Sequence, residues 1–292
     1  MRIATLRMGE KEVAAIRTEK GYVSLERLNA ETGDGYPSDL MFLLAAGQFD
    51  QLKTWYDAAG QGILEDLDAE SEVIFAPLYR YPNRIWGIGL NYLAHASDLS
   101  EKVPEEYPGS FIKSSTTVIG PGDTIEIPKI SERTTAEAEL GVVFGRHCKN
   151  VQRENWLEVV AGFTTIIDMT AEDILRLNPR YLTLCKNFDT FLVFGPELIT
   201  PDEAGDVMGL NVSTVINGKD HATNVVSNMT FPPDSLVSFH SQVMSMQPGD
   251  VISTGTPGAV PISDGDVVSC CIDGFETLTC PVRDLKSGRG PT

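Results

Sequence analysis

The spacing of apolar positions along the chain changes near residue 76. Before that point, short alternating runs separated by Gly and Pro predict strands, and two longer periodic stretches predict helices. The predicted strands are RIATLRM, KEVAAIRT and GYVSL, and the predicted helices span residues 40–46 and 49–59. This pattern indicates a small N-terminal α+β accessory domain over residues 1–75.

From Arg84 onward, most of the chain consists of short apolar runs bounded by Gly and Pro. Such spacing favours a β roll or sandwich over alternating βαβ units. The predicted strands are IWGIG, SFIKS, TIEIP, AELGVVFG, VVAGFTTIID, LNVSTVING, DVISTG, DVVSCCI and ETLTCPV, and the clearest helices lie near residues 153–159, 171–176 and 233–246. We therefore predict a mainly β (α+β) protein in which residues 76–292 form one catalytic domain.

Two glutamates stand two positions apart in the predicted strand TTAEAELGVVF. Side chains two apart share one face of a strand, so Glu137 and Glu139 would project together as the strand enters an apolar interior. Their mutual repulsion is offset by solvent or by a hard cation such as Mg²⁺ or Mn²⁺, which prefers oxygen ligands. The alternative is an exposed strand edge with solvated glutamates.

Two further charged residues could complete such a site. Asp168 ends the nearly continuous apolar run VVAGFTTIID, which is typical of a buried strand, and its carboxylate could reach the same cation. It could equally cap a helix that begins near Thr170. Lys186, in LCKNFDTF, could offset the surplus negative charge and donate to a substrate oxygen. The alternative for Lys186 is a surface lysine whose stem packs on apolar neighbours.

A histidine and an acid stand three positions apart in GLNYLAHASD, on a predicted short helical turn. At this spacing Asp98 could hydrogen-bond one ring nitrogen of His95 and make the other nitrogen a better base. The alternative is a structural histidine.

The ordered set of motifs resembles the fumarylacetoacetate hydrolase family over about residues 84 to 284. The motifs are GLNYxxHA, SFIKSSTTVIGPGDTIEIP, ExELGVVFGR, Asp168, KNFDTF, an ING turn and PGDVISTGTPG. The resemblance implies a mixed β-sandwich roll, normally dimeric, preceded by a variable N-terminal domain. It also implies that one metal ion is held by Glu137, Glu139 and Asp168.

The resemblance further assigns roles to individual positions of this chain. His95 and its partner Asp98 would activate water, and Lys186 would stabilise developing oxyanion or enolate charge. Substrate contacts are implied for Tyr92, Lys113 and Thr256.

Three positions depart from the pattern that the resemblance leads us to expect. Asp98 stands where the family usually has Glu, which shortens the side chain by one methylene. Glu172 stands where many members have an arginine, which removes an expected partner for a substrate carboxylate. His221 stands where Gln is frequent. The last two departures affect the identity of the substrate and not the metal site.

Charge and composition limit the classes of partner that the protein can bind and the cellular compartment in which we expect it. The 292 residues carry 23 Lys and Arg against 41 Asp and Glu, a formal net charge of −18, which would repel nucleic acid and anionic membranes. The sequence offers neither an apolar stretch long enough to span a membrane nor the core of a signal peptide, so we expect a cytoplasmic protein. Five cysteines without a CxxC pair argue against a disulfide framework or a structural zinc site.

These observations lead to one principal hypothesis and two alternatives. We expect a homodimeric enzyme that uses Mg²⁺ or Mn²⁺, with Ca²⁺ as the alternative, to hydrolyse a C–C bond in a small 2-oxo or 1,3-dioxo acid. Decarboxylation, isomerisation or dehydration of a related oxo acid needs the same stabilised enolate but no attacking water. The alternative of another class is a non-catalytic protein that binds a metal or an oxo acid.

Overall fold

The N-terminal segment forms three strands followed by helices. The structure is a computed structural model that describes residues 1–92, 104 and 106–287. The first strands are β1 (Arg2–Met8), β2 (Lys11–Thr18) and β3 (Gly21–Ser24), which pair antiparallel in that order. The helices are α1 (Leu25–Thr32), α2 (Leu40–Ala45), α3 (Phe49–Trp55) and α4 (Gln61–Asp66), with a π-helical turn at Tyr56–Gly60.

Helix α1 was not predicted from the sequence, although local interactions define where it begins and where it ends. The side chain of Ser24 accepts a hydrogen bond from the Arg27 N–H, and Gly33 ends the helix with a φ of 77°. Eight residues with a weak apolar stripe are difficult to distinguish from a loop by periodicity alone.

The larger part of the chain consists mainly of strands. They are β4 (Ile85–Gly89), β5 (Gly109–Lys113), β6 (Val118–Ile119), β7 (Ile125–Ile127), β8 (Thr134–Phe144), β9 (Val160–Ala171), β10 (Leu192–Phe194) and β11 (Glu197–Ile199). The later strands are β12 (Asn211–Ile216), β13 (Lys219–Val225), β14 (Val251–Ser253), β15 (Val260–Pro261), β16 (Val267–Ile272) and β17 (Leu278–Asp284).

Short helices connect these strands. They are α5 (Glu172–Leu177), α6 (Leu182–Lys186), α7 (Pro201–Ala204) and α8 (Pro233–Val243). The helix predicted near residues 153–159 is a 3₁₀-helix. A 3₁₀ segment has the same local apolar spacing over so few residues, so the pattern does not separate the two forms.

Two mixed sheets build the fold. The first has the strand order β3-β2-β1-β11-β9-β8-β14-β4-β5, with β10 and β15 attached to β9 and β8 and with β6 joined to β10. The second has the order β13-β12-β16-β17-β7. The predicted mainly β (α+β) class is confirmed. Strands β1 to β3 extend the first sheet through the pairing of β1 with β11, and the predicted domain boundary after residue 75 stays a prediction.

Strands β8 and β9 lie at the centre of the molecule and are buried along their full length. Their alternate side chains enter two apolar cores. Ile167 belongs to the core shared with the second sheet, whereas Ile166 packs in the core shared with helices α1 to α4. This double covering places any polar side chain of β8 or β9 in a dry environment. Among the described residues, no helix has the length and apolar character needed to cross a bilayer.

Candidate metal centre

Three carboxylates converge at the middle of the β8–β9 pair. Glu137 and Asp168 are directly opposed residues of the antiparallel ladder, and Glu139 follows two positions along β8. One oxygen from each lies within 4.8 Å of the others. The exposed fractions are 7% for Glu137, 1% for Glu139 and 0% for Asp168. The alternative of a solvated strand edge is therefore wrong. The alternative of a helix cap at Asp168 is also wrong, because Asp168 lies within β9 and the next helix has Ala171 as its N-cap.

Neighbouring polar groups fix the orientation of the two glutamates. The Thr170 hydroxyl donates to Glu137 Oε1 over 2.7 Å. Glu139 Oε2 accepts hydrogen bonds from the Ser253 hydroxyl and, over 2.9 Å, from the Gly255 N–H. Gly255 has a φ of 96°, and a Cβ at this position would lie 2.8 Å from the Cβ of Asn91. Glycine is therefore required for the backbone to reach Glu139.

Two buried lysines neutralise part of the negative charge. Lys113 Nζ lies 2.6 Å from Asp168 Oδ1 and also donates to the carbonyl of Lys186. Lys186 Nζ lies 2.8 Å from Asp168 Oδ2 and 2.9 Å from Glu137 Oε2. With all three acids ionised, the two ammonium groups would leave one negative charge in a site that is almost closed to water. Because an uncompensated buried charge is costly, binding of a cation at this site is electrostatically favourable.

The pKa values show which of the three acids lacks a positive partner. Burial raises the pKa of Glu139 to about 8, and the charges of Asp168 and Glu137 act in the same direction. Burial also opposes ionisation of Asp168, but Lys113 and Lys186 outweigh it, and the pKa of Asp168 lies below its usual value. Glu139 is thus the acid that most needs a further positive partner.

The donor set fits a hard divalent cation. All three converging ligand atoms are carboxylate oxygens, which Mg²⁺ and Mn²⁺ prefer over nitrogen or sulfur. The hydroxyl of Tyr92 is buried near these acids and has no hydrogen-bond partner among the described residues. Burial and the charge of Glu139 both raise the pKa of Tyr92, so the phenol stays protonated and can donate to an oxygen that enters the site.

Only some of the other predicted site residues contact the acids in the described structure. Lys186 and Lys113 contact the acids directly. The side chain of Lys113 is fully buried, and both of its hydrogen bonds are to protein groups. The Thr256 hydroxyl is 3.1 Å from the Gly258 carbonyl and 3.2 Å from the Gly258 N–H, within its own loop. His95 and Asp98 lie outside the described residues. Of the three departures noted above, His221 is exposed on β13, and Glu172 is buried.

Sequence reasoning did not identify the groups that support the acids. Ser253 and Gly255 belong to the recognised motif PGDVISTGTPG, but the motif alone does not show which acid they contact. Asn91 is a second such group. Its amide donates to the carbonyls of Phe231 and Thr254, over 2.9 and 2.7 Å, and so ties the end of β4 to the loop that holds Glu139.

The fold is of mixed β architecture, and its buried cluster of acids fits a divalent metal ion. Residues 84–283, more than half of the chain, match the family model for the C-terminal domain of fumarylacetoacetate hydrolase. The chain belongs to the fumarylacetoacetate hydrolase family.

Relatives within this family have several activities. The chain is 34% identical over 218 residues to the mitochondrial oxaloacetate tautomerase fahd2 of Xenopus laevis, covering 72% of this chain and 68% of that protein. It resembles the maleylpyruvate hydrolase of Sphingobium sp. SYK-6, solved with manganese(II) and pyruvate, with a TM-score of 0.79, 26% identity, and coverage of 97% and 99%. It also resembles the 5-carboxymethyl-2-hydroxymuconate delta-isomerase of Mycobacterium smegmatis, with a TM-score of 0.75, 27% identity and full coverage of both chains.

Proposed function

We propose that this protein is a divalent-metal-dependent hydrolase that cleaves a C–C bond in a small 2-oxo or 1,3-dioxo acid. The observation that carries the proposal is the buried convergence of Glu137, Glu139 and Asp168, three carboxyl groups that face only two lysines. A fold that needed these residues only for stability would be better served by apolar side chains of similar volume.

The three carboxylates would hold the cation, with Mg²⁺ or Mn²⁺ favoured by the oxygen donors and Ca²⁺ as the alternative. When bound, such a cation acts as a Lewis acid that polarises the carbonyl oxygens of a chelating oxo acid. The hydrogen bonds from Ser253 and Gly255 would keep Glu139 in place while the ligand exchanges.

Lys186 would supply fixed positive charge beside the reacting atoms. Burial lowers its pKa, but Asp168 and Glu137 outweigh that effect and the pKa of Lys186 lies above its usual value. The ammonium group therefore stays protonated and acts as an electrostatic and hydrogen-bonding group, not as a base. Its position 4.8 Å from the centroid of the Phe111 ring adds a cation–π contact that holds it towards the site.

Lys113 would act mainly by positioning Asp168. Its side chain is completely buried and donates to Asp168 and to the Lys186 carbonyl. It therefore links β5, β9 and the end of α6 around one carboxylate. The direct substrate contact expected for Lys113, and those expected for Tyr92 and Thr256, stay predictions. Water activation by His95 with Asp98 also stays a prediction.

Tautomerisation or isomerisation is the second candidate. The relative from Xenopus laevis is an oxaloacetate tautomerase, and a solved structure with the same fold is an isomerase. Both reactions pass through an enolate, which the cation and Lys186 would stabilise as they would the leaving group in hydrolysis. The two candidates differ in whether a water molecule attacks the carbonyl.

The decisive experiment assays the purified protein with acetylpyruvate, fumarylpyruvate and oxaloacetate in the presence of Mg²⁺ or Mn²⁺. Hydrolysis releases two acids, whereas tautomerisation changes the enol absorbance without cleavage. We expect EDTA to abolish turnover and Glu139→Ala to reduce kcat by more than the roughly 10–100-fold that is typical for losing an outer hydrogen-bond partner of a metal ligand. Glu158→Ala, at an exposed glutamate, is the matched control. EDTA-resistant turnover together with full activity of Glu139→Ala would overturn the proposal, and metal binding without any turnover would favour the non-catalytic alternative.

A further inference from the structure

One buried amide, that of Asn91, joins three stretches of backbone beside the metal centre. Asn91 follows the end of β4 by two residues and is 1% exposed. Its Nδ2 donates to the Thr254 carbonyl over 2.7 Å and to the Phe231 carbonyl over 2.9 Å. Its Oδ1 accepts from the Phe231 N–H over 2.9 Å. All three hydrogen bonds are to backbone groups, so the amide fixes the main chain and leaves the reacting groups to other residues.

The position of Thr254 determines where the hydrogen-bond donors of Glu139 lie. The N–H and the hydroxyl of Thr254 both donate to the Leu140 carbonyl, over 3.0 and 2.8 Å, while its own carbonyl accepts from the amide described above. Its sequence neighbours, Ser253 and Gly255, are the two residues that donate to Glu139 Oε2. A shift of Thr254 would therefore move both donors together.

The chain on either side of this amide is packed too closely to shift independently. A Cβ at Gly255 would lie 2.8 Å from the Cβ of Asn91 and 3.0 Å from the Ile88 carbonyl oxygen. Leu90 has a φ of 55°, which is uncommon for a residue other than glycine and persists only where the surroundings enforce it. The hydrogen bonds of Asn91, the next residue, provide this enforcement.

Glu139 depends on this support more than the other two acids do. Lys113 and Lys186 bind those two acids, whereas Glu139 forms no salt bridge within the described part of the chain. Its orientation therefore rests on the two neutral donors at positions 253 and 255.

The freedom of a carboxylate to move affects different cations unequally. Mg²⁺ requires near-ideal octahedral geometry with oxygens at about 2.0–2.1 Å, whereas Ca²⁺ accepts six to eight oxygens at about 2.3–2.6 Å in flexible arrangements. Loosening one ligand should consequently weaken the binding of Mg²⁺ more than that of Ca²⁺.

We propose that Asn91 is a positioning residue that fixes Glu139 through residues 253–255 and thereby raises the preference of the metal centre for Mg²⁺ over Ca²⁺. The inference rests on the metal binding of the proposed function and does not depend on which reaction the centre catalyses. Without the amide, the segment can shift and Glu139 can follow a larger ion.

The test is calorimetric titration of the metal-free full chain with MgCl₂ and with CaCl₂, under conditions in which urea denaturation shows each variant to be folded. We expect Asn91→Ala to weaken Mg²⁺ binding at least about 10-fold, the lower end of the effect of losing an outer partner of a metal ligand. Ca²⁺ binding should weaken by at most about 2-fold, because its coordination is flexible. The ratio of the two dissociation constants should therefore change at least about 5-fold.

Asn29→Ala is the matched control. The Asn29 side chain holds one residue by its backbone in the same way, since its Nδ2 donates to the Tyr36 carbonyl over 2.8 Å and its Oδ1 accepts from the Tyr36 N–H over 3.0 Å. It lies in α1, and its loss should leave both dissociation constants unchanged.

Asn91→Asp separates hydrogen bonding from charge and from side-chain size. It keeps the shape of the side chain and the acceptor for the Phe231 N–H, but it removes both donors. Its negative charge would by itself strengthen the binding of either cation. Weaker Mg²⁺ binding by this variant would therefore report the lost hydrogen bonds alone.

Ser253→Ala tests the route from the amide to Glu139. It should change the ratio in the same direction in the wild type and add little to Asn91→Ala, because that variant has already displaced the Ser253 hydroxyl. Fully additive effects would overturn the inference.

Two further results would also overturn it. If both Asn91 variants weakened Mg²⁺ and Ca²⁺ binding equally, Asn91 would be only structural, and if they left the ratio unchanged, Asn91 would have no part in selectivity. Either result, with a wild type that binds Mg²⁺, would keep the proposed function. A wild type that binds neither cation would defeat the proposed function itself.

Discussion

The metal-site acids and Glu197 are both buried, yet their charge balances differ. Glu197 is 2% exposed and accepts hydrogen bonds from the Tyr22 hydroxyl over 2.7 Å and from Arg17, while Arg2 lies 3.5 Å away. One buried carboxylate there faces two cations that reach towards solvent. In the metal centre, three buried carboxylates share two buried lysines.

This difference separates a structural cluster from a functional one. The Glu197 cluster joins β2, β3 and β11 and satisfies its buried acid completely with protein groups. The metal centre has one more carboxyl group than it has lysines, and the pKa of the third acid, Glu139, is raised to about 8. A folded protein tolerates such an imbalance where a ligand corrects it, and perturbed pKa values accordingly concentrate at functional sites.

The largest expected effect comes from removing the central acid of each cluster. Asp168→Asn leaves the fully buried Lys113 without its counter-ion, so we expect a loss of about 3–5 kcal/mol in the free energy of unfolding. Glu197→Gln should cost about 1–3 kcal/mol, because Arg2 and Arg17 can turn to water. Urea denaturation of the two variants measures both losses.

Metal binding gives a second test of the difference between the metal centre and the Glu197 cluster. Asp168→Asn should abolish stabilisation by Mn²⁺, whereas Glu197→Gln should keep it in full. Equal effects of the two variants on metal binding would show that the charge imbalance does not mark the metal site.

The next effect is stabilisation by the metal itself. If a cation occupies the acids only in the folded state, Mn²⁺ at about 100 times its Kd should add about 2.7 kcal/mol to the free energy of unfolding. Glu139→Gln should remove this gain. It should also leave the metal-free protein about as stable as the wild type at pH 7, because a pKa of about 8 keeps Glu139 largely protonated there and glutamine matches that neutral form. Thermal denaturation with and without Mn²⁺ measures the effect.

A metal-free Glu139→Gln protein that is clearly less stable than the wild type would contradict the second expectation. Glu158→Gln, at an exposed position, controls for the loss of one charge.

The comparison also shows what sequence patterns can and cannot reveal. Glu137 and Glu139 were found because a strand places alternate residues on one face, and Asp168 because it ends a buried run. That Asp168 lies opposite Glu137 depends on the register between β8 and β9, which local patterns leave undetermined. The mainly β class followed from many short apolar runs, each of which contributed independently.

Long-range charge clusters were not predictable in this way. Arg2, Arg17, Tyr22 and Glu197 have no common period or motif, and they meet only because β1 pairs with both β2 and β11. Arg133 and Glu172 likewise meet through the end of the β8–β9 ladder. Sequence analysis noted Glu172 as a departure from the family pattern, but its salt bridges to two arginines required the structure.

The smallest expected effect concerns His240, a buried group that has no counter-ion among the described residues. Its Nδ1 lies 2.8 Å from the Leu236 carbonyl, and its ring lies 4.7 Å from the ring of Trp86 and 5.2 Å from that of Phe239. Nδ1–H donates to the carbonyl, so Nε2 carries the lone pair, and it has no hydrogen-bond partner among the described residues. Burial lowers the pKa of His240 below its usual 6.5, because an imidazolium here would be removed from water and packed against the rings of Trp86 and Phe239.

This lowered pKa fixes the sign of the pH dependence. The unfolded chain takes up a proton as the pH falls through about 6.5, and the folded protein does so only at lower pH. His240 therefore makes stability fall as the pH drops below 6.5, by at most about 1.4 kcal/mol per pH unit. Urea denaturation at pH 7.5, 6.5 and 5.5 should show a shallower acid slope for His240→Gln than for the wild type. His221→Gln, at an exposed histidine of β13, should keep the wild-type slope. Identical slopes for all three proteins would mean that His240 can be protonated in the folded state, and that a buried charge in this fold does not need a counter-ion.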